Sequence, residues 1–246
     1  MTSTASLDDL LSSLSRTSPL SKPVQKHLTS VYTFLSLLLL SATAGCYVHL
    51  SHIFHGGFLS MMVGAGLSAA LAVTSPTYKN NGTRRWLATG AAFCQGLSLG
   101  PLLSHLSHTG NTSLIFQALS SSTIIFGSFS LASYMASQRV ILYTVALLGS
   151  LGGTMAWLSL WNVFMGSRPT MAAELYLGLA LVAGYIVVDT QLILARAERG
   201  IRDVTSDAFT LFVDAVQLFV RVLVLLAKNR EEKDERERKR SARNRR

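Results

Sequence analysis

Six long apolar runs, separated by short polar connections, dominate this chain of 246 residues. They fall at about Leu28–Leu50, Ile53–Ser75, Trp86–His105, Ser113–Tyr134, Val140–Asn162 and Met171–Leu194. Each is long enough to cross about 30 Å of hydrocarbon as a helix. Only 14% of the residues are charged, where a soluble domain carries about 25%. The pattern implies an all-α polytopic membrane protein. Three regions follow: a polar, Ser-rich stretch 1–27, a transmembrane domain 28–227 and a charged tail 228–246. Short loops make consecutive spans antiparallel neighbours. Small residues recur inside them, among them Gly64, Gly66, Gly90, Gly96, Gly100, Gly149, Gly152 and Gly153. Such residues let membrane helices pack closely. Pro101 can kink the third span.

A seventh segment, Ala208–Ala227, is different. Asp207, Thr210, Asp214, Gln217 and Arg221 recur at steps of three and four. They form one polar stripe on a helix otherwise made of Ala, Phe, Leu and Val. Asp and Arg near a membrane helix centre cost about 2.5–3.5 kcal/mol each, and each Leu, Ile, Phe or Val returns only about 0.3–0.6. Insertion of this segment alone is marginal. It is therefore expected to be central and wrapped by six other helices, either spanning or re-entrant. A second acid, Asp189, lies in the apolar run YIVVDTQLI of span six.

Basic residues set an expected orientation. Arg16, Lys22 and Lys26, then Lys79, Arg84 and Arg85, then Arg139, then Arg196, Arg199 and Arg202 all fall on one side; the other side holds only Arg168. Lys and Arg favour the cytosolic side, so the N-terminus is expected there. The net charge of +9 does not read as nucleic-acid binding, because no groove-reading or aromatic motif accompanies it. The tail supplies ten basic and five acidic residues of a mixed-charge segment suited to anionic lipid or an acidic partner. It conflicts with the orientation rule if the seventh segment spans, and agrees with it if that segment re-enters. Asn81 (NGT) and Asn111 (NTS) are sequons expected on the cytosolic and lumenal sides. Cys46 and Cys94 lie in apolar segments and read as small hydrophobes. The first 27 residues lack an apolar core and a cleavage site, so the first span is expected to act as the membrane signal. His49, His52, His55, His105 and His108 cluster on the expected lumenal side. The spacing of the first three could hold a metal, but without Cys or carboxylate companions they read as interfacial histidines.

A charge buried in hydrocarbon must pair, protonate or line an aqueous path. Two carboxylates close together in a poor dielectric titrate as one coupled unit. Deprotonated, their oxygens suit a weakly held hard cation such as calcium, and a leak path needs weak binding. Asp189 lies about 8 Å from the cytosolic end of its span, where it can form a gate. The plain alternative is that both acids only hydrogen-bond helices together. Asp207 begins its segment and can simply cap a helix N-terminus. Glu174 is either an outer-mouth carboxylate or an interfacial charge. Arg221 either neutralises a carboxylate or reaches the interface, but seven residues from Asp214 place it about 10 Å along the helix. Paired aspartates also suggest an intramembrane aspartyl protease. Phe212-Val213 precede Asp214 and Val188 precedes Asp189, so the Gly-x-Gly-Asp and Tyr-Asp motifs of that family are absent, and no enzymatic activity is expected.

The elements ELYLGL, GYIVVDTQ, LFVDAVQLFVRVL and LAKN between Glu174 and Asn229 resemble the Bax inhibitor-1 family, the transmembrane Bax inhibitor motif proteins, and its plant-type members most. QKHLTSVY, AGCYVHL and GLSLGPLL extend the resemblance from about Pro19 onward. It implies a non-enzymatic endoplasmic reticulum membrane protein that restrains programmed cell death and endoplasmic reticulum stress. It further implies seven helices with the last one central, and Asp189 and Asp214 as a proton-sensitive latch on a calcium leak. Bcl-2-family-like or other membrane partners, and calmodulin at the tail, are implied in the same way; no cofactor is. Some relatives carry an arginine in the second span that pairs with the latch. Ile53–Ser75 has no basic residue, and ASQRVI leaves only Arg139 between spans four and five.

Overall fold

Among the described residues of the computed structural model, six long helices follow one another: α1 (Lys22–Leu50), α2 (Phe58–Val73), α3 (Asn81–His108), α4 (Thr112–Met135), α5 (Met171–Glu198) and α6 (Val204–Asn244). The structure describes residues 21–77, 80–135, 145, 147–155, 157 and 171–244, with a further helical stretch over 147–155. Among the described residues, α1, α4, α5 and α6 are long and apolar enough to cross a membrane. The chain is a helical, multi-pass membrane protein. α2 is apolar but only 16 residues long, about 24 Å. The sequence places a span from Ile53; the helix starts at Phe58 instead, because the chain after α1 turns through His52, which adopts a left-handed φ of 56°. α3 is 28 residues long and more polar, with Arg84 and Arg85 near its start. The expected fifth span, Val140–Asn162, lies mostly outside the described residues.

α1 and α3 meet backbone to backbone. A methyl group on Gly96 would collide with the Ala42 carbonyl, and one on Gly45 with the Phe93 carbonyl. Gly100 leaves the notch that receives the His49 ring. Cys46 Sγ donates to the Gly96 carbonyl at 3.1 Å, and Ser41 Oγ donates to the Thr89 carbonyl at 3.0 Å. In lipid, where apolar burial gives little drive, this close approach supplies the dispersion contacts that hold helices together.

α6 packs against α1, α3, α4 and α5. Its first half, through Ala208, Leu211, Phe212 and Val216, meets the N-terminal half of α1 at Val24, Leu28, Val31 and Leu35. Its second half, through Leu218, Val222 and Leu223, meets Leu103 and Leu106 near the end of α3, and Val182 and Ile186 of α5. The helix contains no Pro or Gly and is unbroken over 41 residues. It therefore runs the length of the bundle rather than turning back, and leaves at the end opposite Lys22. The charged residues after Ala227 continue the same helix. Arg230 pairs with Asp234 at 3.5 Å, Glu232 with Arg236 at 3.9 Å and Glu235 with Lys239 at 3.5 Å, one turn apart as helix geometry favours.

Candidate functional site

Asp189 and Asp214 reach each other from α5 and α6, and their carboxyl groups lie in side-chain contact. Asp214 is buried, and Asp189 is half-buried. The two helices are pressed together above the pair by Val182, Ile186 and Leu218. α4 is stitched to α5 beside it: Ser133 Oγ donates to the Val187 carbonyl at 2.9 Å, and Gln191 Nε2 donates to the Ser133 carbonyl at 3.4 Å. Two buried oxygens here, Asp214 Oδ2 and Thr190 Oγ1, have no protein hydrogen-bond partner. Unsatisfied polar atoms in a tightly packed interior are uncommon, and their concentration marks this point of the bundle.

From the pair, charged groups continue toward the bundle end that holds Lys22. Asp207, two turns before Asp214, accepts from His27 Nε2 of α1 at 2.9 Å and pairs with Arg196 Nη2 of α5 at 3.0 Å. One turn further, Asp203 pairs with Arg84 Nη2 of α3 at 2.7 Å, and the same nitrogen donates to Ser206 Oγ at 2.8 Å. The start of α6 is thus bound to three different helices, by ion pairs to α3 and α5 and by the His27 hydrogen bond to α1. His27, Arg84 and Asp207 are buried; the Arg196 side chain stays 41% exposed. Burial works against the charged form of Asp203. The Arg84 guanidinium and the Ser206 backbone N–H outweigh it, and hold its carboxyl below the usual carboxylate range. Arg196 also lies close enough for its charge to act on Asp189.

The residues singled out in the sequence divide into two groups. Asp189, Asp214 and Asp207 lie along one polar file. Arg221 and Glu174 do not join it. The Arg221 guanidinium sits where a side chain at Gly178 would be, one turn along α5 from Glu174 and on the far side of the pair from Asp207. The cap of α6 is Asp203, whose Oδ1 accepts from the Ser206 N–H at 3.2 Å; Asp207 lies a turn inside the helix and is an ion-pair residue. His27, Arg84, Arg196 and Asp203 are additional members. The sequence carries a signal for one of them: His27 shares the apolar face of α1 with Val24, Leu28 and Val31. The rings of His49, His52 and His55 gather with centroids 5.7–5.9 Å apart, and His49 Nδ1 accepts from the Gly56 N–H at 2.7 Å. Among the described residues, no group of three His, Cys, Asp or Glu side chains is placed to hold a metal ion.

The family model described as "Inhibitor of apoptosis-promoting Bax1" matches residues 24–231. The chain belongs to the Bax inhibitor 1 family. Bax inhibitor 1 of Bos taurus is 36% identical over 216 residues, covering 87% of this chain and 90% of that protein. Bax inhibitor 1 of Oryza sativa subsp. japonica is 36% identical over 225 residues, covering 91% and 88%. The Homo sapiens protein is 34% identical over 210 residues, covering 85% and 88%. The family match contains the whole polar file, from His27 to Asp214.

Proposed function

We propose that this member of the Bax inhibitor 1 family is a non-enzymatic suppressor of programmed cell death in the endoplasmic reticulum membrane, acting as a pH-sensitive calcium leak. α6 is the central helix, packed against α1, α3, α4 and α5, and the N-terminus is cytosolic. The observation that carries this reading is the meeting of Asp189 and Asp214 inside an otherwise apolar bundle, at the head of a file of charged groups. Two acids in contact titrate as one coupled unit. Protonated, they bridge α5 and α6 by a shared proton. Deprotonated, they repel each other and offer oxygens to a hard cation. Calcium is the transported ion, held only in passing. Arg84 with Asp203 and Arg196 with Asp207 form the cytosolic mouth below the latch. The suppressor role is supported by the family description, which names Bax as what the family acts on.

The test is calcium efflux from proteoliposomes holding the full chain, stepped from about pH 8 to about pH 6. Flux that follows pH, and loses its pH dependence in Asp214→Asn and Asp189→Asn, is the expected result. Folded protein that passes no more calcium than empty vesicles refutes the leak and leaves a membrane regulator working through protein partners. Calcium movement driven by a pH gradient alone identifies a proton-coupled exchanger instead.

A further inference from the structure

α1 and α4 flank α6 but do not pack along each other. The Tyr32 and Ser130 hydroxyls join them by a hydrogen bond near the end that holds Lys22. Toward the opposite end the two helices diverge. The wedge between them has a volume of about 300 Å³. Leu39 and Thr43 of α1 form one wall, Leu119 and Thr123 of α4 the other, and Val216 and Phe219 of α6 the floor.

The polar atoms of this wedge are all engaged with backbone. Thr43 Oγ1 donates to the Leu39 carbonyl at 2.9 Å, and Ser122 Oγ to the Leu119 carbonyl at 3.1 Å. Thr123 Oγ1 donates to the Leu119 carbonyl at 2.7 Å, and Cys46 Sγ is held by Gly96. A ligand entering the wedge finds no free donor, and as acceptors only the lone pairs of hydroxyls already bonded to their own helix. A polar ligand would lose its hydration there without full replacement; hydrocarbon has none to lose. The mouth is lateral, because Leu119 and Thr123 are exposed, and it lies within the spans. It opens on acyl chains, not on water. The volume is at the small end of the range for ligand cavities, about 300–1,000 Å³, which suits one slender chain better than a rigid ring system. On α6 the floor residues stand about half a turn around the helix from Asp214.

We propose that the wedge between α1 and α4 is a binding site for one acyl chain of a bilayer phospholipid, inserted from the side onto the face of α6 opposite Asp214. The site stands whether or not Asp189 and Asp214 gate an ion, because it rests on the wedge and the spans alone.

The test uses the full chain in phosphatidylcholine vesicles that contain a trace of phosphatidylcholine with a diazirine in mid-chain. After photolysis, adducts are mapped by peptide mass spectrometry. Adducts concentrated on Leu119, Phe126 and Val216 are expected. They are lost in Leu119→Trp and in Thr123→Trp, which fill the mouth from exposed positions and so leave folding intact. They persist in Leu131→Trp, an exposed α4 position outside the wedge. Adducts spread evenly over Phe116, Leu131 and the wedge, and unchanged by Leu119→Trp, overturn the proposal. A photoreactive sterol that labels the wedge and displaces the acyl-chain adducts overturns the assignment to an acyl chain.

Discussion

Asp203→Asn isolates the energetic value of the charge network at the start of α6. Asn caps a helix about as well as Asp, so the cap to Ser206 survives while the charge is lost. Arg84 is then left ionised with its side chain 5% exposed, keeping only Ser206 Oγ as a partner, and its Nε is already unpartnered. Removing one member of a buried ion pair costs about 3–5 kcal/mol. Asp203 is itself 19% exposed, so water softens the loss toward about 3 kcal/mol. At about 2–4 °C per kcal/mol for a chain of this size, the midpoint of thermal unfolding falls by about 6–12 °C. Arg84→Met removes the other partner and leaves a carboxylate that reaches water, for about 1–2 kcal/mol. The double variant strands neither charge and is more stable than Asp203→Asn alone. Thermal unfolding of all four proteins in one nanodisc preparation, followed by tryptophan fluorescence, checks the cycle. If Asp203→Asn lowers stability by less than about 1 kcal/mol, or the double variant is the least stable of the four, the buried-pair reasoning is wrong.

Three further outcomes are expected. Because Asp203 is held below the usual carboxylate range, its contribution is present above about pH 4 and is lost as pH falls through the lower folded value; pH-dependent unfolding of the native chain shows this acid limb and that of Asp203→Asn does not. Gly96→Val drives a side chain into the Ala42 backbone and costs about 1–3 kcal/mol, while Gly66→Val, which meets open space, leaves the unfolding midpoint unchanged. Single cysteines placed at Ser21 and at Ser241 in a background lacking Cys46 and Cys94 react with an impermeant thiol reagent from opposite sides of sealed microsomes; labelling of both from one side contradicts a single uninterrupted crossing by α6.

The long apolar runs and the special character of the last segment were legible because both are periodic, local properties. The meeting of Asp189 with Asp214 was legible through the resemblance to the Bax inhibitor-1 family; energetics alone required only that each buried acid pair, protonate or line an aqueous path. The supporting network was not legible in the same way. Arg84 and Arg196 read as orientation charges at loop ends, and nothing local tells a cytosolic arginine in water from one buried against a neighbouring helix. Asp207 read as a cap because it opens an apolar segment; the helix in fact begins earlier, at Val204, and gives the cap to Asp203. The start of the second helix moved for a related reason. Residues 53–57 read as the start of an apolar run but follow directly on the turn at His52, where the rings of His49, His52 and His55 gather.

The unbroken length of α6 gives the molecule a projecting rod. Forty-one residues extend about 60 Å, twice the hydrocarbon thickness. The bundle packs the helix as far as Ala227, so about 25 Å of charged helix, from Lys228 to Asn244, stands clear of the core. Whatever meets that rod meets a surface already folded, and incurs no ordering cost to form it.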